Sequence, residues 1–259
     1  MNNDKITMLT CYDALTAKVA QEAGVDYLLV GDSGGTNVLG YKNVNEVKLE
    51  DMLFLTKSVK RANTECKIIT DIPYEIVYEK PDEIIFAAQK LIDCGADMVK
   101  IEIENGSVEL LKKLTSENIS VCSHIGYTPQ TPNLKVSVQG KDIERAKELV
   151  KFAKISQGLG AKMIVLELIP ANLAKYISDI LDIPTIGIGA GQFCDGQVQV
   201  WCDISGFSDK IYKHSKLFAN AREQLLSAFK EYASQVKSGR FPTEANSSYV
   251  DDEILKNCV

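Results

Sequence analysis

Four short apolar runs in this chain each end in an acidic residue. The runs are residues 27–31, 66–70, 98–101 and 163–166, and the acids that follow them are Asp32, Asp71, Glu102 and Glu167. Runs of this length and β-branched content are typical of buried parallel strands. A carboxylate in an apolar core is unfavourable unless it is paired or bound to a metal ion. Four acids at the same end of successive strands therefore predict an active site.

Strand-like and helix-like segments alternate along the chain. The predicted strands are residues 6–11, 27–31, 66–70, 98–102, 120–124, 162–167, 184–187 and 197–203. The predicted helices are residues 14–23, 50–63, 81–94, 108–117, 142–158, 172–181 and 215–237. Eight strand–helix units favour a closed (β/α)8 TIM barrel over an open sheet, and 259 residues suffice for one barrel. We therefore predict a single-domain α/β barrel over residues 1–238, followed by a polar C-terminal tail over residues 239–259.

Charge and cysteine content exclude several classes of partner and location. The net charge of −6 and the pI near 5.1 argue against nucleic acid or an anionic membrane as a partner. No apolar stretch reaches the roughly 18 residues that a transmembrane helix needs. The first residues run directly into a predicted strand, so we expect no signal peptide. Seven cysteines without a C-x-x-C pair are typical of reduced thiols, so we expect a cytoplasmic protein.

Three of the strand-end acids are candidates for a magnesium site. Asp32, Asp71 and Glu102 follow predicted strands two, three and four, which are neighbours in a barrel of this order. Oxygen donors from adjacent strand ends suit a hard divalent cation, with water or substrate completing the coordination. A cation would also remove the repulsion between the three carboxylates. The alternative is that each acid caps a helix or pairs with a lysine.

Two further strand-end residues have both a functional and a structural interpretation. Lys100 lies two residues before Glu102 and so points to the same side of its strand. It could neutralise a substrate carboxylate or form a salt bridge with one of the acids. A half-buried Glu167 could have a raised pKa and act as general acid or base. Alternatively, its carboxylate could accept hydrogen bonds from amides of the next loop.

The chain has only two histidines, His124 and His214, and neither lies in a cluster of zinc ligands. His124 ends the fifth predicted strand, where a structural role and a functional one are equally compatible with its position. The glycine-rich segment 187–191 follows the seventh strand, where many barrels bind phosphate. A glycine cluster also occurs in tight turns without any ligand, so this segment alone does not predict a phosphate site.

Seven segments, taken together and in order, resemble the ketopantoate hydroxymethyltransferase family. They are residues 10–13 (Thr-Cys-Tyr-Asp), 30–33 (Val-Gly-Asp-Ser), 71–73 (Asp-Ile-Pro), 98–102 (Met-Val-Lys-Ile-Glu), 124–130 (His-Ile-Gly-Tyr-Thr-Pro-Gln), 165–167 (Val-Leu-Glu) and 186–191 (Ile-Gly-Ile-Gly-Ala-Gly). They cover nearly the whole chain, and as a set they are highly specific.

The resemblance implies a TIM-barrel enzyme of pantothenate biosynthesis. Members transfer a hydroxymethyl group from 5,10-methylenetetrahydrofolate to 3-methyl-2-oxobutanoate and give 2-dehydropantoate. The reaction is expected to pass through a Mg²⁺-stabilised enolate, with one Mg²⁺ per subunit and the folate as co-substrate. The family also forms large homo-oligomers, which implies an octamer or a decamer here.

The resemblance further implies a role for each candidate residue. Asp32, Asp71 and Glu102 correspond to the Mg²⁺ site. Ser33 and Lys100 correspond to groups that hold the carboxylate of the 2-oxo acid, and Asp32 and Asp71 border the same ligand. Glu167 corresponds to the catalytic acid or base, and His124 lies close to the substrate.

Two other functions remain open from the residues alone. The first is a Mg²⁺-dependent 2-oxo acid lyase or mutase of the phosphoenolpyruvate mutase and isocitrate lyase group. Those enzymes usually carry a reactive cysteine in a Lys-Cys-Gly-His type motif, which this sequence lacks. The second is a barrel that has lost turnover and only binds. Retention of four buried acids argues against it, because unused buried charges destabilise a fold.

Overall fold

The protein is a closed barrel of eight parallel strands, as seen in a computed structural model that describes residues 4–62, 65–104, 106–208 and 212–258. The strands are β1 (Ile6–Thr10), β2 (Tyr27–Val30), β3 (Lys67–Asp71), β4 (Met98–Glu102), β5 (Val121–Gly126), β6 (Met163–Glu167), β7 (Thr185–Ile188) and β8 (Gly196–Gln199). Each strand pairs with its neighbours in sequence, and β8 pairs with β1 to close the ring. The predicted TIM barrel is therefore confirmed.

Helices follow most of the strands, and the first six of them pack on the outside of the barrel through buried side chains. They are α1 (Ala14–Glu22), α2 (Leu49–Lys60), α3 (Ile84–Asp93), α4 (Val108–Ser116), α5 (Ile143–Gly158), α6 (Ala171–Ile180), α7 (Trp201–Ser205), α8 (Ala221–Lys237) and α9 (Asp252–Lys256). Asp13 and Asp142 cap α1 and α5 by accepting hydrogen bonds from amides of the first turn. Among the described residues, no helix is both long enough and apolar enough to cross a bilayer.

The core has two parts, one between helices and sheet and one inside the barrel. The inner part consists of Met8, Leu29, Ile69, Cys122, Met163, Val165, Ile186, Ile188 and Val198. These side chains fill the barrel below its carboxyl-terminal end. Above them the inward-pointing residues become polar and charged, so the interior ends in a hydrophilic chamber.

Strand register decides which polar residues lie side by side at the carboxyl-terminal end. Asp71 on β3 is paired with Lys100 on β4, and Glu102 on β4 is paired with His124 on β5. Gly126 on β5 is paired with Glu167 on β6. Because paired residues of adjacent parallel strands lie about 5 Å apart, the register places acids and bases in contact around one rim.

The last third of the chain departs from two predicted boundaries. The predicted strand 197–203 was too long, because β8 ends at Gln199 and Trp201 begins the short helix α7. The backbone amide of Trp201 donates to the Thr10 hydroxyl at 3.0 Å, which turns the chain away from the sheet. The predicted closing helix 215–237 starts later, at Ala221, because the amides of Phe218 and Ala219 bond to the carbonyl of Ile204.

The polar tail predicted after residue 238 contains two short elements, a 3₁₀ turn over Glu244–Asn246 and helix α9. Its described residues are exposed to solvent. The division into a barrel and a tail stays a prediction.

A substitution of Gly126, at the end of β5, would test how closely β5 and β6 approach each other below the site. Its φ of +106° is unfavourable for other residues, and an added Cβ would lie 2.1 Å from the Glu167 carbonyl oxygen. We expect Gly126→Ala to lower the free energy of unfolding by about 3 kcal/mol or more, measured by urea denaturation.

Gly158, the last residue of α5, is the matched control, because an added Cβ there has no heavy atom within 4 Å. Gly158→Ala should leave stability unchanged or raise it by up to about 1 kcal/mol. Equal stability of the two variants would contradict the close approach of β5 and β6.

Candidate active site

The charged residues at the carboxyl-terminal end surround a small cavity of about 130 Å³, here called the inner chamber. All seven predicted site residues line it: Asp32, Ser33, Asp71, Lys100, Glu102, His124 and Glu167. Apolar side chains, among them Leu29, Val165 and Val198, form its floor and walls. The structure therefore brings the predicted residues together, while their chemical roles stay predictions.

A buried ion pair lies at the centre of this chamber. The Lys100 Nζ atom is 2.9 Å from Oδ1 of Asp71, and both side chains are buried. Asp71 also accepts a hydrogen bond from the Asp32 backbone amide at 3.1 Å. Burial alone would lower the pKa of Lys100, but the negative charges of Asp71, Glu102 and Asp32 outweigh it and raise that pKa. Lys100 is therefore a permanent cation, and the salt bridge considered from the sequence is present.

Gln130 connects two of the predicted metal ligands. Its Nε2 atom donates to Oδ2 of Asp32 at 2.8 Å and to the Ile72 carbonyl at 3.0 Å. Its backbone amide donates to Oε2 of Glu102 at 2.9 Å. In the sequence, Gln130 is distinguished only as the last residue of segment 124–130, which resembles the family. The partners Asp32 and Gln130 are 98 residues apart, so no local spacing pattern could have revealed the contact.

The two carboxyl groups that Gln130 contacts are difficult to ionise. Burial and the neighbouring Asp71 charge raise the pKa of Asp32 to about 7, against the opposing effect of Lys100. Burial likewise raises the pKa of Glu102 well above its usual value, although Lys100 counteracts it. The chamber thus holds more negative groups than its single lysine can neutralise, and additional positive charge would stabilise their ionised forms.

His124 lies between the lysine and the predicted catalytic acid. Its Nδ1 atom is 3.4 Å from Nζ of Lys100, and its Nε2 atom is 3.3 Å from Oε2 of Glu167. Burial and the Lys100 charge lower the pKa of His124 well below its usual value, so the imidazole is neutral. Since a charged lysine can only donate, Nδ1 is the acceptor and Nε2 carries the proton that faces Glu167.

Glu167 occupies the side of the chamber that is open to solvent. Its side chain is 18% exposed, whereas the side chains of Asp71 and Glu102 are almost fully buried. Burial raises the pKa of Glu167 to about 7, although the positive charge of Lys100 counteracts this rise. A carboxyl group with a pKa near neutrality can both accept and return a proton at physiological pH.

Ser33 lies at the same rim, directly after Asp32. Its hydroxyl shares a hydrogen bond of 2.8 Å with the Tyr12 hydroxyl, which orients it at the edge of the chamber. Tyr12 belongs to the segment 10–13 that resembles the family, but nothing in the sequence indicates a role for its hydroxyl. The structure assigns it to the support of Ser33.

The three predicted magnesium ligands share the chamber without forming a ready-made metal site. Within the described ranges, no group of three or more His, Cys, Asp or Glu side chains has the arrangement of a metal centre. Asp71 is instead paired with Lys100, while Asp32 and Glu102 are bound by Gln130. The donor set still fits Mg²⁺, because it consists of carboxylate oxygens whose mutual repulsion a cation would relieve.

Several solved barrel enzymes share the fold of this chain. A 2,3-dimethylmalate lyase of the phosphoenolpyruvate mutase and isocitrate lyase superfamily superposes with a TM-score of 0.62. It is 16% identical, and the match covers 99% of this chain and 87% of that one. A phosphonopyruvate hydrolase solved with oxalate and Mg²⁺ also gives a TM-score of 0.62, at 13% identity and with coverages of 98% and 90%. At these identities the likeness concerns the fold alone.

Comparison of sequences identifies the family, whereas the structural likeness concerns only the fold. The sequence model of the ketopantoate hydroxymethyltransferase family matches residues 1–244. A 3-methyl-2-oxobutanoate hydroxymethyltransferase of Acetivibrio thermocellus is 44% identical over 255 residues, which are 97% of this chain and 90% of the relative. The enzyme of the same name from Clostridium kluyveri is 43% identical in an alignment of 262 positions, gaps included. The alignment covers 100% of this chain and 94% of the relative. The chain therefore belongs to the ketopantoate hydroxymethyltransferase family and is a hydroxymethyltransferase enzyme.

Proposed function

We propose that this enzyme transfers a hydroxymethyl group from 5,10-methylenetetrahydrofolate to C3 of 3-methyl-2-oxobutanoate in the cytoplasm and gives 2-dehydropantoate. The observation that carries the proposal is the convergence of three carboxylates, a permanent cation and a carboxyl group with a near-neutral pKa in one chamber. The chamber volume of about 130 Å³ suits a small acid rather than a large substrate. The names of the relatives support the same acceptor.

The residues of the inner chamber divide into two groups by charge. Asp32, Asp71 and Glu102 would hold one Mg²⁺ per subunit. When bound, this ion would supply a Lewis acid that polarises the keto and carboxylate oxygens of the 2-oxo acid. A barrel of the same fold, the phosphonopyruvate hydrolase, has been solved with Mg²⁺ and oxalate, which supports the choice of metal.

The positive group and its neighbours would bind the substrate carboxylate. Lys100 lies in the chamber with its ammonium group already oriented by Asp71 and His124. Ser33, oriented by Tyr12, would donate a hydrogen bond from the chamber edge. Neutral His124 would contact the substrate without adding charge. These contacts would keep the acceptor in one orientation with C3 directed toward Glu167.

Glu167 would act as the base that removes the proton from C3. The C3–H bond breaks, its electron pair forms the C2–C3 double bond of the enolate, and the proton moves to a Glu167 carboxylate oxygen. A pKa of about 7 suits this exchange because the group is only partly protonated at neutral pH. The Nε2 atom of His124 lies 3.3 Å from Oε2 of Glu167 without a hydrogen-bond partner among the described residues, and its proton would stabilise the ionised Glu167 once the two groups align.

The complete transfer needs no oxidant or reductant. The enolate carbon forms a new C–C bond with the methylene carbon, which is already at the oxidation level of formaldehyde. The methylene carbon loses its two carbon–nitrogen bonds: the new C–C bond replaces one, and a C–O bond from one water molecule replaces the other. The proton from C3 and one proton from water end on the two nitrogens of tetrahydrofolate, so atoms and charges balance.

We also propose that the enzyme is a homo-oligomer, as an octamer or a decamer. Helix α8 supports this, because none of its residues is buried and it exposes a set of large apolar side chains. They are Leu225, Leu226, Phe229, Tyr232 and Val236. A second copy that covers this face would remove it from water. Light scattering after size exclusion should give a mass well above the 28.5 kDa of one chain.

The proposed function is tested by product formation and by exchange of the C3 proton. With Mg²⁺, both substrates should give 2-dehydropantoate, and 3-methyl-2-oxobutanoate alone in D₂O should exchange C3–H for deuterium, followed by proton NMR. We expect Glu167→Gln to slow this exchange by about 100-fold or more, because an amide cannot accept the proton.

Glu109→Gln on the exposed side of α4 is the matched control and should exchange at the normal rate. Full exchange in the folded Glu167→Gln protein would exclude Glu167 as the base. Metal-dependent binding of the acid without any product would favour a barrel that has lost turnover, and cleavage of the acid would favour the lyase alternative.

The raised pKa of Glu167 also predicts a pH-dependent stability. In the unfolded chain the group ionises near pH 4.5, but in the folded chain it ionises near pH 7. The folded state therefore loses stability as the pH rises from about 4.5 to 7, and this loss persists above pH 7. Without added metal or substrate, Glu167→Gln should be more stable than the parent by on the order of 2 kcal/mol at pH 8.

This advantage should nearly vanish at pH 4.5, where the parent residue is protonated in the folded state and increasingly so in the unfolded state. Urea denaturation at both pH values measures it, with Glu109→Gln as the control for the loss of one charge. A stability difference that does not depend on pH would contradict the raised pKa.

A further inference from the structure

Gln130 contacts the end of each strand that carries a predicted metal ligand. Its Nε2 atom donates to Oδ2 of Asp32, which follows β2, and to the carbonyl of Ile72, which follows Asp71 on β3. Its backbone amide donates to Oε2 of Glu102, the last residue of β4. Gln130 is only 2% exposed, so water does not compete for these contacts. One residue of the segment between β5 and α5 therefore links three neighbouring strand ends.

These contacts leave one oxygen of each carboxylate unused. Gln130 bonds to Oδ2 of Asp32 and to Oε2 of Glu102. Among the described residues, no group donates a hydrogen bond to Oδ1 of Asp32 or to Oε1 of Glu102. The Nδ1 atom of His124 is 3.7 Å from Oε1 of Glu102, which is too far for such a bond. Both acids line the inner chamber, so each has one oxygen held and one available to a cation.

We propose that Gln130 is a positioning residue that sets the affinity of the inner chamber for a divalent cation. The proposal rests on the proposed function, which places Mg²⁺ at Asp32, Asp71 and Glu102. By holding one oxygen of Asp32 and one of Glu102, Gln130 fixes the direction of the other oxygen before the ion arrives. The two side chains are then ordered during folding rather than during binding, so the ion binds more tightly.

The surroundings of the Gln130 amide fix its orientation. Oδ2 of Asp32 and the Ile72 carbonyl oxygen are both acceptors, so only the nitrogen end of the amide can face them. A rotation by 180° would place Oε1 against two other buried oxygens with no hydrogen between them, which is unfavourable. Gln130 lies behind the acids rather than in the lining of the chamber, so its side chain acts on the ion through Asp32.

The turn that carries Gln130 is itself held in place. The Thr131 amide donates to the Thr128 carbonyl at 3.0 Å, and the hydroxyls of these two threonines share a hydrogen bond of 2.8 Å. The hydroxyls of Tyr78 and Thr131 share another of 3.2 Å, which connects the turn to the segment after β3. A positioning group is effective only when its own position is fixed. The contacts of Thr128, Thr131 and Tyr78 meet this condition for Gln130.

Binding of Mn²⁺ alone tests the assignment, because the electron paramagnetic resonance signal of free Mn²⁺ reports the bound fraction without any turnover. Gln130→Met removes the donor that holds Asp32 with little change in side-chain volume. We expect this variant to bind Mn²⁺ at least about tenfold more weakly than the parent. Gln130→Asn is one methylene group too short to reach Asp32 and should show the same loss. It carries the test if the methionine variant does not fold.

Deuterium exchange at C3 of 3-methyl-2-oxobutanoate separates positioning from general damage. In Gln130→Met, the Mg²⁺ concentration for half-maximal exchange should rise by at least about tenfold. The exchange rate at saturating Mg²⁺ should stay within about threefold of the parent, because the base and the cation are then both in place. A merely structural role would instead lower the maximal rate and leave the half-saturating concentration unchanged.

Gln139→Met is the matched control, since Gln139 is a largely buried glutamine of the same segment. Its Nε2 atom donates to the carbonyl and hydroxyl oxygens of Ser137, and its side chain bonds to none of the acids. This variant should bind Mn²⁺ as the parent does. Urea denaturation of both methionine variants shows whether their stabilities are comparable.

Unchanged Mn²⁺ affinity in the folded Gln130 variant would overturn the assignment. An equal loss of affinity in Gln139→Met would overturn it too, because the effect would then come from the segment as a whole. If the parent binds Mn²⁺ and forms 2-dehydropantoate while either result is seen, only the role of Gln130 is wrong. If the parent neither binds Mn²⁺ nor forms product, the proposed function fails together with it.

Discussion

The ion pair between Asp71 and Lys100 determines the electrostatics of the whole chamber. The two residues are paired across β3 and β4, so the backbone register makes them neighbours, and their charged atoms lie 2.9 Å apart. Lys100 stays charged because the acids around it outweigh the cost of its burial. Together with burial, that fixed charge keeps His124 neutral, and it opposes the rise in the pKa of Glu167. One buried contact thus influences the protonation of every ionisable group around it.

The segment between β5 and α5 connects several of these strand-end residues. Gln130 lies in that segment and contacts Asp32 with its side chain and Glu102 with its backbone. It spans the rim from the second strand to the fourth and limits the freedom of both carboxylates. Gly126 permits the tight start of this segment, because any side chain there would collide with the backbone of β6. Chemistry at the rim therefore depends on backbone geometry at the preceding turn.

Much of the barrel could be predicted because each strand carries its own signal. Apolar runs that end in Asp32, Asp71, Glu102 and Glu167 are local patterns, and the predicted strands that precede them agree closely with β2, β3, β4 and β6. The errors lie where the local signal is ambiguous. Residues 197–203 are apolar enough for a strand, but only pairing with β1 decides that β8 ends at Gln199. The start of α8 is likewise set by contacts of residues 218 and 219 with Ile204.

By itself the sequence determined the fold class, the family and seven of the residues that line the inner chamber, because spacing along strands decides which side chains share a rim. Only the tertiary structure decided which of them touch. The pairing of Asp71 with Lys100, the bridge made by Gln130 and the approach of His124 to Glu167 depend on distances between residues far apart in the chain. Local sequence carries no information on such distances, because they result from strand register and loop packing in the closed barrel.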